Sequence, residues 1–539
     1  MSRPNPFVLT AGFLLFIAAF GGLSVLKEGL FLDTHEGDTY HLLDILLRIE
    51  AGMRPHLDFS LPLGFLAFLP ISSFIDAGFP VGSAIIFAQL SLASVLLPFV
   101  IYVCVTRFSR PLAWLFGVLV LGLVLSLNFG AASDGVSISV HYNRWAWAIS
   151  FVALALAILP APHERPVLDG LLIGVLGATL ALLKVTFFVA LGPAVLVAVI
   201  LRWRGKGVLA VALGGLGVAV VATVLQGFAF WPAYLGDLIL VSGSEVRPFA
   251  GLTLNDSIAA PKMIGATLVG IAAIFMIRRS GQEVAGYAML LLVPGFIYVT
   301  YQNFGNDPQW IWFLALVIFA LRPEVGVGQI AGHDLRLLMS GAAWMALAVS
   351  FPSLFANATS TITHASMDET RFMPMLPDDR GHQDIFIRRD RAQTMTAQVH
   401  RDRVDPNWSR YSEEVDRSAL SELNGISFPH CEWMAGSRAY LERIAEELRA
   451  DGVTSDDQVL PADILAGLWM FGPFKPLDGG APWYYGGLTG LENADYLMVP
   501  KCVFVAKIRR IMLKELNEAD TDLTLVSDND LYALFTVTP

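Results

Sequence analysis

The chain has 539 residues, of which 55% are hydrophobic and only 15% are charged, and its formal net charge at pH 7 is −11. Soluble proteins carry about 25% charged residues, so this composition excludes both a disordered chain and a purely soluble enzyme. The acidic balance also speaks against nucleic acid as a partner, because proteins that bind nucleic acid present basic faces.

The acidic excess lies in the last third of the chain. Residues 356–539 contain about 18 Lys and Arg against about 29 Asp and Glu, whereas the preceding residues are neutral overall. This last segment has an ordinary soluble composition and is long enough to bury a core of its own. We therefore predict an α-helical membrane part at 1–355, a linker or extended arm at 356–410, and a soluble α/β domain at 411–539.

Apolar runs predict about eleven transmembrane helices, since one bilayer crossing needs about 20 apolar residues. Lys and Arg accumulate in cytoplasmic loops, and the basic connectors share one side of the membrane if the N-terminus is cytoplasmic. This arrangement predicts a protein of the bacterial inner membrane whose C-terminal domain is periplasmic. The predicted spans lie near residues 7–26, 82–105, 111–129, 145–160, 167–183, 187–202, 208–230, 263–277, 284–301, 310–321 and 337–355.

Residues 27–80 form one long external loop in this topology. The run 61–75 is too short for a span and contains two prolines, so we predict a helix in the membrane plane. A second helix, from about Thr39 to Ala51, has an apolar face suited to the membrane surface. Asp38 precedes it, where a side chain can cap the first backbone amides.

The start of this loop also offers carboxylates for acid–base chemistry. Glu36 and Asp38 follow the first predicted span closely, and a partly desolvated carboxylate in such a place can act as a general base. Glu36 has no visible structural role, whereas Asp38 has the alternative role of a helix cap. Either residue is therefore a candidate for the catalytic base.

Three segments of the loop resemble a known family. HEGDTY (35–40), EAGMRPHLDF (50–59) and PLGFLAFLP (62–70) are similar, in this order, to signatures of the GT-C superfamily of polytopic glycosyltransferases. The members concerned use polyprenyl-phosphate sugars and include protein mannosyltransferases and aminoarabinose transferases. The family has an adjacent acidic pair, whereas Gly37 separates Glu36 from Asp38 here.

The resemblance implies a GT-C-like fold and a reaction class. A sugar would move from a polyprenyl-phosphate donor in the membrane lipid to an extracytoplasmic acceptor, which could be a lipid, a polysaccharide or a protein. Direct displacement would invert the anomeric centre, with Glu36 or Asp38 as the base on the acceptor hydroxyl.

The departing lipid phosphate needs cationic partners, because its charge grows as the bond to the sugar breaks. GLLIGVLGATLALLKVTFF (170–188) resembles the Gly-rich helix of these transferases and places Lys184 at the predicted outer interface. Three arginines of the predicted external loops add planar forks that match phosphate: Arg54, Arg144 and Arg247. Further candidates for binding substrate or a cation are Asp58, His56 and His141. Each of these residues alone also fits an ordinary interfacial anchor or helix cap.

Cofactor and redox predictions are limited. No ligand spacing indicates a metal site, although a divalent cation serves part of the superfamily, so the cofactor is left open. Cys431 and Cys502 both fall in the predicted periplasmic domain, where they could form a disulfide.

Two other function classes fit part of the pattern. A lipid-linked-sugar flippase or other transporter would also be polytopic, but an ion-coupled carrier needs charges at mid-membrane, and the predicted spans have few. A membrane scaffold could use the aromatic, Gly-rich segment 467–492 to bind carbohydrate.

Overall fold

The computed structural model describes residues 4–244, 253–303, 307–399, 421–428, 430–519 and 521–538. Most of these residues are helical. The helices in chain order are α1 (Pro6–Phe16), α2 (Gly22–Ser24), α3 (Glu36–Glu50), α4 (Leu69–Asp76), α5 (Val81–Arg107), α6 (Arg110–Leu125), α7 (His141–Ile158), α8 (Pro166–Leu183), α9 (Val185–Gln226), α10 (Phe230–Ser242), α11 (Leu254–Ala259), α12 (Pro261–Arg279), α13 (Glu283–Gln302), α14 (Trp310–Ala320), α15 (Leu335–Ala365), α16 (Arg389–Gln393), α17 (Ser437–Ala450) and α18 (Ala506–Glu518).

Seven helices of the described chain are long and apolar enough to cross a membrane. They are the run Pro6–Ser24, which joins α1 to α2 through a π-helical turn, and α5, α8, α9, α12, α13 and α15. Helix α9 covers two of the predicted spans. Its backbone leaves the helical region at Arg204, which lies between them. The remaining predicted spans fall on the shorter helices α6 and α14 and on α7. The count of eleven crossings therefore stays a prediction, while the integral-membrane character stands.

The C-terminal region combines helices with small sheets. Strands β10 (Val459–Pro461), β11 (Tyr496–Pro500), β12 (Leu523–Asp528) and β13 (Tyr532–Val537) form a four-stranded sheet in the order β10-β11-β13-β12. Within this sheet, β10 and β11 are parallel, and the other neighbouring strands are antiparallel. The apolar patterns of residues 457–460, 494–499 and 531–537 predict strands, and those of residues 437–450 and 506–516 predict amphipathic helices. All five elements are present, the helices as α17 and α18.

The segment predicted as a linker is largely structured where it is described. Residues 356–365 complete α15, and β4 (Phe372–Pro374) and β5 (Ile385–Arg388) follow. Strand β5 pairs in parallel with β1 (Leu30–Leu32) of the first loop. The Asp384 carboxylate accepts hydrogen bonds from the backbone amides of Gly82 and Ser83, at the start of α5. Parallel pairing and helix capping therefore attach this segment to the membrane part.

Three shorter pairings complete the described strands. Strand β9 (Cys431–Ala435) pairs with β6 (Thr396–Val399), and β7 (Ser421–Leu423) pairs with β8 (Ile426–Phe428). Between α14 and α15, β2 (Gln329–Ile330) and β3 (His333–Asp334) form a small hairpin. A disulfide joins Cys431 of β9 to Cys502, 71 residues later, and so links β9 to the loop after β11.

The sequence predicts that helix α3 lies on the membrane surface, but the helix lies inside the protein. Its buried residues include Leu43, Ile45 and Leu46 on different sides of the helix. It packs against α4 and against a 3-10 turn of the C-terminal region at Gly467–Phe471. The apolar residues of α3 are covered by protein, so membrane lipid is not needed to bury them.

A fully buried ion pair lies at the centre of this contact. Arg48 Nε is 2.6 Å from Asp44 Oδ1, and both side chains are almost completely buried. Trp469 Nε1 donates to the same carboxylate at 2.8 Å, and Arg48 Nη1 donates to the carbonyl of Leu477 at 2.7 Å. The C-terminal region thus supplies two of the polar partners that make burial of this pair tolerable.

Replacing Asp44 by Ala should destabilise the protein strongly. The change leaves the Arg48 guanidinium and the Trp469 indole N–H without their buried acceptor, which costs about 3–5 kcal/mol for a buried pair. We expect a clear fall in the thermal midpoint of the detergent-purified protein and easier proteolysis at residues 467–480. The matched control is Asp58→Ala, because Arg54 and Asp58 form an exposed pair at the same spacing. Equal midpoints for the two variants would show that the contact is not structural.

Candidate functional site

The segment SISVHYNRW (137–145) organises the candidate site. Val140 immediately precedes α7 and has a φ of 48°, a left-handed conformation that is rare for a β-branched residue. Such strain persists only where the surrounding structure enforces it, and it concentrates at functional sites. From this segment, Ser139 and His141 contact the first loop, and Asn143 contacts Lys184 at the α8–α9 junction.

Asp38 lies beside this segment. Ser139 Oγ donates to Asp38 Oδ2 at 2.5 Å, and the carboxylate is half-buried. Asp38 also borders a small cavity together with His41, His141 and Tyr142. The carboxylate is therefore held in place at the edge of a cavity of about 10 Å³, which has room for about one water molecule.

The predicted capping role of Asp38 is wrong, because α3 starts earlier than expected. The N-cap residue is His35, with a φ of 66°, so Asp38 belongs to the first helical turn. There the helix dipole favours the ionised carboxylate. The His35 ring stacks on Phe129 at 4.3 Å and its Nδ1 lies 3.1 Å from Ser137 Oγ. Burial lowers the pKa of His35, which keeps this ring neutral at physiological pH.

Glu36 is engaged by an arginine from the C-terminal side of the chain. Arg391 Nε lies 2.5 Å from Glu36 Oε1, and Arg391 Nη2 lies 2.9 Å from Oε2. The Glu36 side chain is only 9% exposed. Both oxygens of Glu36 are thus occupied by one guanidinium. Of the two predicted bases, Glu36 is tied to Arg391, whereas Asp38 borders the small cavity.

Lys184 lies at the break between α8 and α9, where the backbone is extended. Its Nζ donates to Asn143 Oδ1 and, at 2.7 Å, to Asn303 Oδ1. The ammonium also lies 5.0 Å from the centre of the Tyr142 ring. These described contacts orient the ammonium through two amide oxygens and one aromatic ring.

A large apolar cavity is lined by residues that precede and follow Lys184 in the sequence. It has a volume of about 650 Å³ and lies between α7, α8 and α9. Residues next to the helix break, among them Ala181, Phe187 and Phe188, contribute to its wall. The cavity is almost entirely apolar, so it suits a hydrocarbon chain whose polar end would reach Lys184.

Arg144 is the most deeply buried cation of the segment, with 1% exposure. Its Nη1 donates to the carbonyl of Asn128, whereas Nε and Nη2 have no hydrogen-bond partner in the described chain. The Nδ2 of the neighbouring Asn143 also lacks a partner there. A buried guanidinium is costly unless it is paired, so the site is complementary to an anionic ligand.

The C-terminal region contributes aromatic side chains next to Asp38. Tyr485 Oη lies 2.8 Å from His41 Nε2, and the Trp483 ring lies 5.2 Å from the His41 ring. On the opposite side, His141 Nε2 lies 3.0 Å from the carbonyl oxygen of Ala67. His41 follows Asp38 by three residues, so both face the same side of α3.

Other predicted site residues lie elsewhere. Arg54 forms an exposed pair with Asp58, in which Arg54 Nε and Asp58 Oδ2 are 3.1 Å apart, and this pairing lowers the pKa of Asp58. His56 is buried with its Nδ1 2.7 Å from Asp237 Oδ2 of α10. Arg247 is outside the described residues. Asp38 and His141 thus border one small cavity, whereas Arg144 contacts Asn128 and Lys184 contacts Asn143 and Asn303. The Arg54–Asp58 pair forms within the first loop.

Sequence reasoning missed several residues of the site. His41 carried a signal, because its spacing from Asp38 puts both on one face of a helix. Arg391, Trp483 and Tyr485 carried none, since each reaches the first loop from more than 340 residues away. Ser139 lies in a segment already noted for His141 and Arg144, and only its contact with Asp38 identifies it.

Comparison with known proteins gives no further guide to the site, because neither a family model nor a curated protein sequence matches this chain. Within the described ranges, no three His, Cys, Asp or Glu side chains gather closely enough to hold a metal ion.

Proposed function

We propose that the protein is an integral-membrane glycosyltransferase that transfers a sugar from a polyprenyl-phosphate donor to an extracytoplasmic acceptor. One observation carries the proposal. Six consecutive residues, 139–144, connect the cavity at Asp38 with Lys184 and with the buried Arg144. This short stretch of backbone thus contacts a proton acceptor, Asp38, and a cation, Lys184, and itself carries a second cation, Arg144. The two cations suit a phosphate, and an apolar cavity lies beside Lys184.

The donor would occupy the apolar cavity and the lysine at its polar end. The hydrocarbon chain would lie between α7, α8 and α9, and the phosphate would meet Lys184 and Arg144. When the bond between the anomeric carbon and the phosphate oxygen breaks, the electron pair leaves with the phosphate. Cations fixed in advance stabilise that growing charge.

The acceptor hydroxyl would approach from the side of Asp38. Its oxygen attacks the anomeric carbon opposite the departing phosphate, which inverts the centre, and its proton passes to Asp38. Ser139 orients the carboxylate by donating to one oxygen. Trp483 and Tyr485 supply the flat apolar and hydrogen-bonding surfaces that suit a sugar acceptor.

We also propose that eleven crossings place the C-terminal region outside the cytoplasm, in the periplasm of a bacterial inner membrane. The Cys431–Cys502 disulfide supports this side, since such bonds persist mainly in oxidising compartments. In cells quenched with a thiol-alkylating reagent, both cysteines should become reactive only after reduction and denaturation. Full alkylation without reduction would place the region in the cytoplasm.

The base assignment predicts a large loss of activity for Asp38→Asn. General base catalysis contributes about 10²- to 10⁴-fold, so transfer from a polyprenyl-phosphate sugar in nanodiscs should fall by that amount while the thermal midpoint is kept. Asp33→Asn is the matched control, because Asp33 is in the same loop and accepts only from the Val136 amide among the bonds described. Glu36→Gln should lower the midpoint more than it lowers transfer. Normal transfer by Asp38→Asn would remove Asp38 as the base.

The donor site predicts that Lys184→Ala and Arg144→Gln weaken binding of a polyprenyl-phosphate sugar by about tenfold or more, because each removes a charge-assisted hydrogen bond to phosphate. Lys262→Ala is the matched control, since Lys262 pairs with Asp307 at the same side of the helices. Binding is measured on protein in nanodiscs. Saturable binding without transfer, in wild type and with every acceptor class, would favour a flippase; no binding at all would favour a scaffold.

A further inference from the structure

A second cavity lies at the other end of the helices that carry the candidate site. Its volume is about 300 Å³, and it lies between the end of α5, the start of α6, the loop after α7 and the end of α14. Helix α6 runs from this cavity towards Asn128, which contacts Arg144. Sixteen helical residues span about 24 Å, so the cavity is separate from the donor site.

Three arginines line this cavity: Arg107, Arg322 and Arg336. Arg107 is buried and paired, with its Nη2 2.7 Å from Asp169 Oδ2, but its Nε has no partner in the described chain. Thr106 and Ser109 add hydroxyl groups to the wall. The lining is therefore basic and polar, in contrast to the apolar cavity at the other end.

In the described residues, the side chains of Arg322 and Arg336 donate hydrogen bonds to neutral groups. Arg322 Nη1 donates to Ser340 Oγ at 3.1 Å and Nε to the carbonyl of Phe319 at 3.2 Å. Arg336 Nη1 donates to the carbonyl of Pro323 at 2.9 Å. Across the residues that the structure describes, neither guanidinium forms an ion pair with a carboxylate. The acidic residue nearest to Arg336 in sequence, Asp334, uses its carboxylate to cap the start of α15.

The two guanidinium groups also repel each other. Burial and the neighbouring charge of Arg336 lower the pKa of Arg322. Repulsion between cations is tolerated more easily when an anion binds between them. The start of α6 adds to this tendency, because its N-cap residue, Ser109, lines the cavity and gives no side-chain cap to the first backbone amides.

We propose that this cavity binds a phosphate group, and that the phosphate belongs to the headgroup of an anionic phospholipid in the adjacent leaflet. The cavity lies at the same end of the helices as Arg278 and Arg279 of α12, which add two cations to this face. Basic cavities between transmembrane helices at such a face suit anionic headgroups. Soluble phosphate has the same chemistry and is the alternative source.

To distinguish a lipid phosphate from a soluble phosphate, each candidate ligand is titrated into the purified protein in neutral detergent. Phosphatidylglycerol should raise the thermal midpoint of the wild type, whereas phosphatidylcholine should not. The double variant Arg322→Gln, Arg336→Gln should need at least about tenfold more phosphatidylglycerol, since each lost guanidinium removes a charge-assisted hydrogen bond. Arg279→Gln is the matched control, because Arg279 is an exposed arginine of the same face.

The outcomes are distinct. An unchanged requirement for phosphatidylglycerol in the double variant would overturn the proposal. Protection by sodium phosphate or glycerol 3-phosphate at concentrations near those of the lipid would keep the phosphate site but assign a soluble ligand. Neither result depends on glycosyl transfer, so the fate of the proposed activity does not decide this test.

A second measurement uses only the wild-type protein, in case the variants fail to fold. Phenylglyoxal modifies arginine side chains, and the rate at each arginine can be followed by peptide mass spectrometry. Phosphatidylglycerol should slow modification of Arg322 and Arg336 at least about fivefold relative to Arg279, because a bound phosphate covers the guanidinium groups. Equal slowing at all three arginines would show general membrane shielding and would contradict the site.

Discussion

The buried Asp44–Arg48 pair is the interaction on which the arrangement of the site depends. Arg48 lies over the rings of Phe59 and Trp469, at 5.7 and 5.9 Å, so the guanidinium is enclosed by aromatic groups of both regions. Two charges buried this deeply need polar partners. Trp469 and the carbonyl of Leu477 supply two of them, while Asp44 Oδ2 and Arg48 Nη2 have none in the described chain. Through these contacts the C-terminal region packs into the same core as α3.

Both ends of α3 are fixed by residues far away in sequence. Arg391 binds Glu36 at its start, and the C-terminal region encloses Arg48 near its end. Asp38 lies between these attachments, so its position follows from two contacts that do not include it. With Asp38 as the base that we propose, this attachment limits the rearrangement needed when the substrate binds, which favours electrostatic catalysis. A C-terminal region acting as a mobile lid would have to break the buried contacts at each opening.

The sequence predicted local structure well and long-range contacts poorly. SRAYLERIAEELRA shows its helical period within one segment, so α17 could be found without knowing what it packs against. Helix α3 could not be placed in the same way, because a helix with apolar residues on most sides can lie in lipid or in a protein core. Asp44 and Arg48, four residues apart inside that apolar run, were the available sign of burial in protein. The partners of Glu36 and His41 depend on chain segments brought close only by the fold.

The distribution of charge along the helices explains why the two ends of the molecule favour different phosphates. At the end with the C-terminal region, carboxylates from loops neutralise several cations, as Asp307 does for Lys262, while Lys184 binds amides and Arg144 is left with two unpaired N–H groups. At the opposite end, Asp169 neutralises Arg107, and the hairpin between α14 and α15 leaves Arg322 and Arg336 with neutral partners. Burial raises the cost of an uncompensated charge. Under the two proposals, each end gains stability from an anion. Among the described residues, the first end combines an apolar cavity with a carboxylate, and the proposed group transfer requires both.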